Sequence, residues 1–501
     1  MRPESFRPAV RLEGEYVRLE PLAESHAEAL APIWALPEVH RYRIGYSPNS
    51  DRPDVRAMIR QLLERQDEGT ALAFTVVRRS DRRPVGMTRF QDIQRRHNKV
   101  EIGGTWFHPS LGRSRLATEA WWLMLGHAFA SEESHRVILK ADGRDERSRR
   151  AFACLGATQE AVLRQNLWLS EGLYRDTVVF RILRGEWATV EAGLRQRIAL
   201  GAGDGTPATG ADEASGPGTS APSRALSVDR PGTDLGFRAR VTLTGRHVQL
   251  CPLERHHRRE VEHAGRDPAI WQYLRWGGAR PVPELVDESI TELLEGEAKG
   301  EILPFVIRVA PDGRIIGVFR YLNIDRPNRC VELGTWVDSS YWRTPINTEV
   351  KYLALSYAFD RESAHRVQMQ TDARNARSQR AIERLGAVRE GRHDENFLLP
   401  DGTYRTSIVY SIVESEWPAV RRELERRLAR PWERSDRGPP PPAGGPGDDA
   451  EGAGPPGFEP GSEAPEAPVM SKLYYGPVVV SESTGCAVRS RTVERTTRPR
   501  T

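Results

Sequence analysis

The sequence is poor in cysteine: Cys154, Cys251, Cys330 and Cys486 are all it has, and no two form a C-x-x-C pair. That scarcity excludes a disulfide framework and the usual zinc-ligand spacings, so no metal is expected. It has no apolar run of ~18 residues, which argues against a membrane-spanning helix, and the opening MRPESFRPAVRLEGEY lacks the apolar core of a secretory signal. Charge of one dominant sign is missing too. With 73 basic against 69 acidic residues the formal charge is +4, too small for a general electrostatic case for nucleic acid or membrane binding. The arginine-rich run RRELERRLAR from Arg421 alternates with Glu and reads as a solvated helix face. A cytoplasmic protein is the simplest expectation.

Two stretches lack core-forming residues. The segment 201–237, which includes GAGDGTPATGADEASGPGTSAPSRALSVDRPGTD, is too rich in Gly, Pro, Ser and Ala to repay the entropy of ordering a backbone, and reads as a flexible linker. The segment 431–501, with GPPPPAGGPGDDAEGAGPPGFEPG, reads as a disordered tail in which only YYGPVVV, Tyr474 to Val480, has the composition of a strand. A length of 501 residues alone would suggest roughly three domains. Removing linker and tail leaves two, at 8–200 and 238–430.

Those two domains are copies of one another. HRVILKADGRDERSRRAFACLGA from His135 and HRVQMQTDARNARSQRAIERLGA from His365 agree at 12 of 23 positions, and Thr118 and Thr348, the two His, and Gly156 and Gly386 are each 230 residues apart. A period this long suits two complete globular domains rather than solenoid units, and predicts that they separate at the linker.

Each copy alternates strands and helices. Val350, Leu353, Ala354, Tyr357 and Ala358 form one stripe of an amphipathic helix, repeated by Ala120, Leu123, Met124 and Ala128. A strand precedes it (VEIGGTWF, VELGTWV) and another follows (HRVILKAD, HRVQMQTD). Asp145 or Asn375 then opens a second helix as N-cap, closed by Gly156 or Gly386. A hairpin follows, turning at Pro400-Asp401-Gly402 in the second copy. The expected fold is α+β, with a mixed, mostly antiparallel sheet flanked by helices and one parallel strand–helix–strand crossover.

The ordered set IGGTWF/LGTWV, R-S/T-x-x-x-TEA/TEV, HRV, N/D-x-R-S and LGA, present twice, resembles the GNAT superfamily of acyl-CoA N-acyltransferases. Within it the chain is most similar to the RimJ/RimL-like branch, which acetylates protein N-terminal amines. The resemblance implies acetyl-CoA as cosubstrate and a primary amine, on a protein N-terminus or a small molecule, as acceptor. A non-catalytic tandem module that binds CoA or a partner is the alternative.

A helix N-terminus leaves N–H groups unpaired and suits a pyrophosphate. The resemblance places CoA at the turn and helix start, hence at Arg113, Ser114, Arg115 and Thr118 in the first copy and Arg343, Thr344, Ile346, Asn347 and Thr348 in the second, with Trp336 and Val337 on the preceding strand and Asn375 beyond. The family's R/Q-x-x-G-x-G/A pattern is altered, since its glycine positions hold Arg113 and Arg115, or Arg343 and Pro345, and Pro345 removes an N–H donor. Asp145 stands where Asn375 does in the second copy and sets a carboxylate near an anionic cofactor.

Acyl transfer to an amine needs a base, oxyanion stabilisation and a proton for the thiolate. Glu332 is the base candidate, with Glu101 its counterpart, against the alternative of a solvent-facing strand carboxylate. Gly334 and Gly103-Gly104 mark an expected strand break whose N–H groups could face the oxyanion. The resemblance implies Ser378 as the acid, with Ser148 its counterpart. Tyr404 and Tyr410 are further acid candidates, although core packing also accounts for them, and His135, His365, Trp187 and Trp417 read as structural. Asn375 and the fuller R-T-x-x-N-T-E run from Arg343 favour the second copy as the one that turns over, and Pro345 counts against it.

Overall fold

The computed structural model describes residues 6, 10–42, 54–112, 114–169, 173–201, 235–277, 280–430 and 479–482. Most of the expected linker and tail, together with Arg113 and Cys486, lie outside the described residues.

The first repeat forms strands β1 (Val17–Pro21), β2 (Ala71–Arg78), β3 (Pro84–Gln94), β4 (Lys99–Phe107), β5 (Arg136–Asp142), β6 (Thr158–Leu169) and β7 (Leu173–Leu183). They lie in the order β1-β2-β3-β4-β5-β7-β6, antiparallel except for β4–β5. The second repeat gives β8 (Val248–Pro252), β9 (Leu303–Val309), β10 (Ile315–Asp325), β11 (Cys330–Val337), β12 (Arg366–Asp372), β13 (Val388–Leu398) and β14 (Tyr404–Val413), in the same order, with β11–β12 the parallel pair. The expected α+β fold is therefore present twice.

Helices cover both faces because the strands alternate their apolar residues. In the second repeat Val331, Leu333 and Val337 of β11 face a core closed by α8 (Ile346–Ser356) and α10 (Trp417–Leu428). Trp336 faces the opposite core, closed by α6 (Arg258–Ala264) and α7 (Val282–Ala298). The first repeat uses α1 (Ala27–Trp34) and α2 (Val55–Asp67) on one face and α3 (Arg115–Gly126) and α5 (Trp187–Leu200) on the other. Helices α4 (Glu146–Cys154) and α9 (Ala376–Arg384) follow the crossovers, capped by Asp145 and Asn375 as expected; Gly156 and Gly386 close them at φ +87° and +91°. The glutamate of each TEA/TEV run fastens the crossover helix to the first hairpin. Glu119 accepts the N–H groups of Glu15, Tyr16 and Val17 at 2.6–2.7 Å, and Glu349 accepts that of His247 at 2.9 Å.

The expectation of separable domains is corrected. β6 pairs antiparallel with β13 where Ala161 meets Gly391, so that the two sheets are continuous, and a Cβ on Gly391 would collide with the Ala161 backbone. Around this join the contacts repeat with two-fold logic. His135 stacks on Tyr404 with ring centroids 3.5 Å apart and His365 stacks on Tyr174 at 3.4 Å, each ring pair crossing between repeats. Arg136 pairs with Glu160, and Arg366 with Glu390. Lys99 donates to the Asn396 carbonyl at 3.0 Å. The expected tail strand is found slightly later than Tyr474–Val480, as Val479–Glu482 paired antiparallel with Val241–Thr244.

Candidate active site

The parallel strands of each crossover part company partway along. β11 and β12 pair from Cys330↔Arg366 to Leu333↔Met369, and β4 and β5 from Lys99↔Arg136 to Glu101↔Ile138. Beyond those points one edge of β11, from Gly334 to Val337, has no strand partner among the described residues, and its backbone groups are open to an extended amide-bearing ligand. The start of α8 lies on one side of this wedge, and Glu332 on the other.

Glu332 is 9% exposed, so the solvent-facing alternative is corrected. Its Oε2 accepts the side-chain N–H groups of Asn323 at 2.9 Å, Gln370 at 3.1 Å and Gln368 at 3.2 Å. Burial pushes its carboxyl above the ordinary value, and these hydrogen bonds only partly offset that. Glu101 is held differently: Lys140 stands 2.6 Å from its Oε2 and the Gln91 amide 2.6 Å from its Oε1. Lys140 is thus an ammonium where the second repeat has the neutral Gln370. The two glutamines had a signal in the sequence, because HRVQMQTD puts Gln368 and Gln370 on one face of a strand.

The strand break expected at Gly334 is absent. β10 and β11 pair without interruption from Gly317↔Val337 to Leu322↔Glu332, and Gly334 is small because Arg320 lies against it, a Cβ there coming within 2.7 Å of the Arg320 Cζ. In the first repeat the extra glycine does produce a bulge, with the register shifting between Met87 and Arg89 and Gly104 at φ +57°.

At the turn into α8, Arg343 adopts φ +65°, the left-handed conformation that the family's glycine would take without strain. Thr344 donates its hydroxyl to the Tyr341 carbonyl at 2.8 Å, and Asn347 and Thr348 occupy the first turn, where helical N–H groups have no intrahelical acceptor. Trp342 donates its indole N–H to the Val337 carbonyl at 3.1 Å, and the Arg377 guanidinium lies 3.2 Å over its ring, so part of the wedge edge is already engaged. The first repeat has Gly112 at the place of Trp342. There Ser114 caps α3 through the Ala117 N–H at 3.3 Å, Thr118 bonds back to Ser114, and Arg115 turns away to the Tyr16 ring at 5.9 Å. Trp336 packs on Trp271 with centroids 5.4 Å apart, so only its backbone faces the wedge.

Among the acid candidates, Asn375 accepts the Ser378 N–H at 3.0 Å and leaves the Ser378 hydroxyl without a partner among the described residues, whereas the Ser148 hydroxyl is bound to Asp145 at 2.6 Å. Tyr404 is corrected as an acid. It is spent on the contact between repeats, stacked on His135 with its hydroxyl accepting from Asn98 at 2.9 Å. Tyr410 is core and donates to Glu383 at 3.0 Å.

Sequence reading missed Lys351, on the cofactor side of the wedge, 2.7 Å from the Thr335 hydroxyl and 7% exposed. Burial pushes its ammonium down to about 7 from an ordinary 10.5. Between those two values the unfolded chain binds the proton and the folded chain does not, so stability rises with pH across that window. Raising the pH from 7 towards 10 is expected to stabilise the wild type relative to Lys351→Met by up to about 1.4 kcal/mol per unit. Thermal melts of both proteins across that range check it; parallel curves would put the proton elsewhere.

The acetyltransferase (GNAT) domain profile matches residues 17–158 and 247–388. A Bacillus subtilis (strain 168) protein, YdaF, provisionally named a ribosomal N-acetyltransferase, is 28% identical over 106 residues, 21% of this chain and 57% of that protein. The uncharacterized N-acetyltransferase p20 of Bacillus licheniformis is 25% identical over 178 residues, 35% of this chain and 96% of its own length. A solved acetyltransferase structure from T. thermophilus shares 36% identity over 37% of this chain and 96% of that one, with a TM-score of 0.35. The two domain matches together cover more than half of the sequence, and the chain belongs to the GNAT acetyltransferase family, carrying the family's domain twice.

Proposed function

We propose that the protein is an N-acetyltransferase that moves the acetyl group of acetyl-CoA to a primary amine, and that the second repeat carries the turnover. One observation supports this most: Glu332 is a buried carboxyl of raised proton affinity, hydrogen-bonded by three amides rather than paired with a cation, at the base of the wedge and on the side away from α8. The residues present fit the cofactor. Asn347 and Thr348 at the start of α8, with Arg343 beside them, would hold the pyrophosphate, and the unpaired edge of β11 at Trp336 and Val337 would hold the pantetheine amides. Acetyl-CoA supplies the activated acetyl thioester. Glu332 takes the proton that the amine must lose as its nitrogen bonds the acetyl carbon, and the Ser378 hydroxyl gives a proton to the sulfur as the carbon–sulfur bond breaks. The acceptor is a primary amine on a protein N-terminus or a small molecule.

Trp342 on the wedge edge and Pro345 at the helix start favour the other reading, a module that binds CoA without turnover. Thiol release from acetyl-CoA by the full chain, against a panel of primary amines and peptides, separates the two. Amine-dependent release is expected. Acetyl-CoA should also raise the melting temperature, the stabilisation reaching about 2.7 kcal/mol at a hundred times Kd, and Arg343→Glu should shrink that shift. No shift at millimolar acetyl-CoA would sink both readings of the second repeat.

A further inference from the structure

Around Glu332, on the face away from α8, stand three arginines from three elements. Arg320 on β10 lies against Gly334, two residues along from Glu332. Arg275, in the segment before α7, shares the ring of Trp276 with Arg320, the two guanidiniums lying 4.9 and 5.0 Å from its centroid. Arg405 on β14 falls on the same face as Gln370 by strand alternation, since Gln370 pairs with Val409.

The carboxylates on this face are mostly taken. Glu292 pairs with Arg275 at 2.7 Å and accepts from the Trp276 indole at 2.6 Å. Asp372 is held by Arg374 at 2.8 Å. Glu332 is occupied by amides. Among the described residues neither Arg320 nor Arg405 has a carboxylate within 4.0 Å, and Arg405 donates only to the Tyr273 carbonyl at 3.3 Å. Arg320 is 8% exposed, and its Nε and Nη1 have no hydrogen-bond partner among the described residues. A guanidinium stays charged and offers a planar fork of donors, so burying one with its donors unmet is costly unless an anion completes it. Burial does push Arg320 down, to about 9. The first repeat shows the contrast. There Arg89, the counterpart of Arg320, donates its Nε to Gln91 at 2.6 Å, and Lys140 neutralises Glu101.

We propose that the acceptor carries its own anionic group, a carboxylate or a phosphate, which docks on Arg320 and Arg405 while its amine faces Glu332, making the acceptor a small amino-acid-like amine. This rests on the second repeat being an acetyltransferase. Same-face neighbours on a strand are about 6.5–7 Å apart, so amine and anion must lie within roughly that span of each other. Polyamines are repelled by the arginines, and a peptide N-terminus brings no anion of its own at that distance unless its first residue is acidic.

The full chain is tested with L-aspartate and O-phosphoethanolamine against ethanolamine, spermidine and peptides with neutral or acidic first residues. The anionic amines are expected to have KM values about 100-fold lower than the neutral ones, and Arg320→Gln to collapse that ratio. The two anionic probes tell carboxylate from phosphate. Arg405→Gln gives the same readout should Arg320→Gln fail to fold. Calorimetric binding of L-aspartate without acetyl-CoA separates the two layers of the argument. Arginine-dependent binding without turnover would keep the anion site and sink the enzyme. Turnover of neutral or cationic amines with equal or lower KM, of acidic peptides but not free acids, or a preference that survives both variants, would keep the enzyme and overturn the anion site.

Discussion

Glu390→Ala is expected to cost about 3–5 kcal/mol of stability, because it strips the partner from a buried charge at the join of the two repeats. The Glu390 carboxylate is fully shielded and accepts both terminal nitrogens of Arg366, at 2.8 and 2.6 Å, with the Arg366 side chain itself 2% exposed. It also accepts the Ser411 hydroxyl at 2.7 Å and, from the first repeat, the Arg164 backbone N–H at 2.9 Å. Arg164 continues to Glu416 at 2.7 Å, so one carboxylate organises contacts from both repeats. Removing it leaves Arg366 charged in the interior with nothing of opposite sign. Chemical denaturation reads the loss as a lowered midpoint. Glu423→Ala, which breaks only surface pairs with Arg426 and Arg427, should barely move it. Equal shifts in the two variants would mean that the buried pair adds nothing beyond a surface one.

The duplication, the order of the elements, the caps at Asp145 and Asn375 and the hairpin at Gly402 were all legible because each is local: a period, an alternation or a residue whose side chain bonds within its own turn. The join was not. Comparing the repeats along the chain shows that His135 matches His365 and that Tyr174 matches Tyr404, but the contacts run from His135 to Tyr404 and from His365 to Tyr174, a crossing that no alignment of one repeat on the other displays. For the same reason Tyr404 read as a site residue. At the site, Glu332 was legible from its strand motif, while its environment came from Gln368 and Gln370, one strand away, and from Arg320, whose side chain explains Gly334 better than a bulge does. A lone glycine in a strand signals either a break or a close approach, and the sequence does not distinguish them.

Glu332→Gln and Ser378→Ala are each expected to lower acetyl transfer by about 10²-fold or more, while Glu101→Gln and Ser148→Ala leave most of it. The asymmetry rests on protonation chemistry. A base must be free to accept a proton, and Glu101 already shares its charge with Lys140 at 2.6 Å, whereas Glu332 meets only amides. An acid must have a hydroxyl to give, and that of Ser148 is bound to Asp145 while that of Ser378 is free of partners among the described residues. Backbone features pull the other way, since the bulge at Gly104 and the open position at Gly112 belong to the first repeat. Those features govern how the thioester is held, and the side chains govern how its protons move. The pH profile distinguishes the contributions: with Glu332 as the base, kcat/KM should fall on the acid side through a pKa above the ordinary carboxyl value, because burial raises it. That limb should vanish in Glu332→Gln and persist in Glu101→Gln. The reverse would move the active site to the first repeat, and equal losses would mean two working sites in one chain.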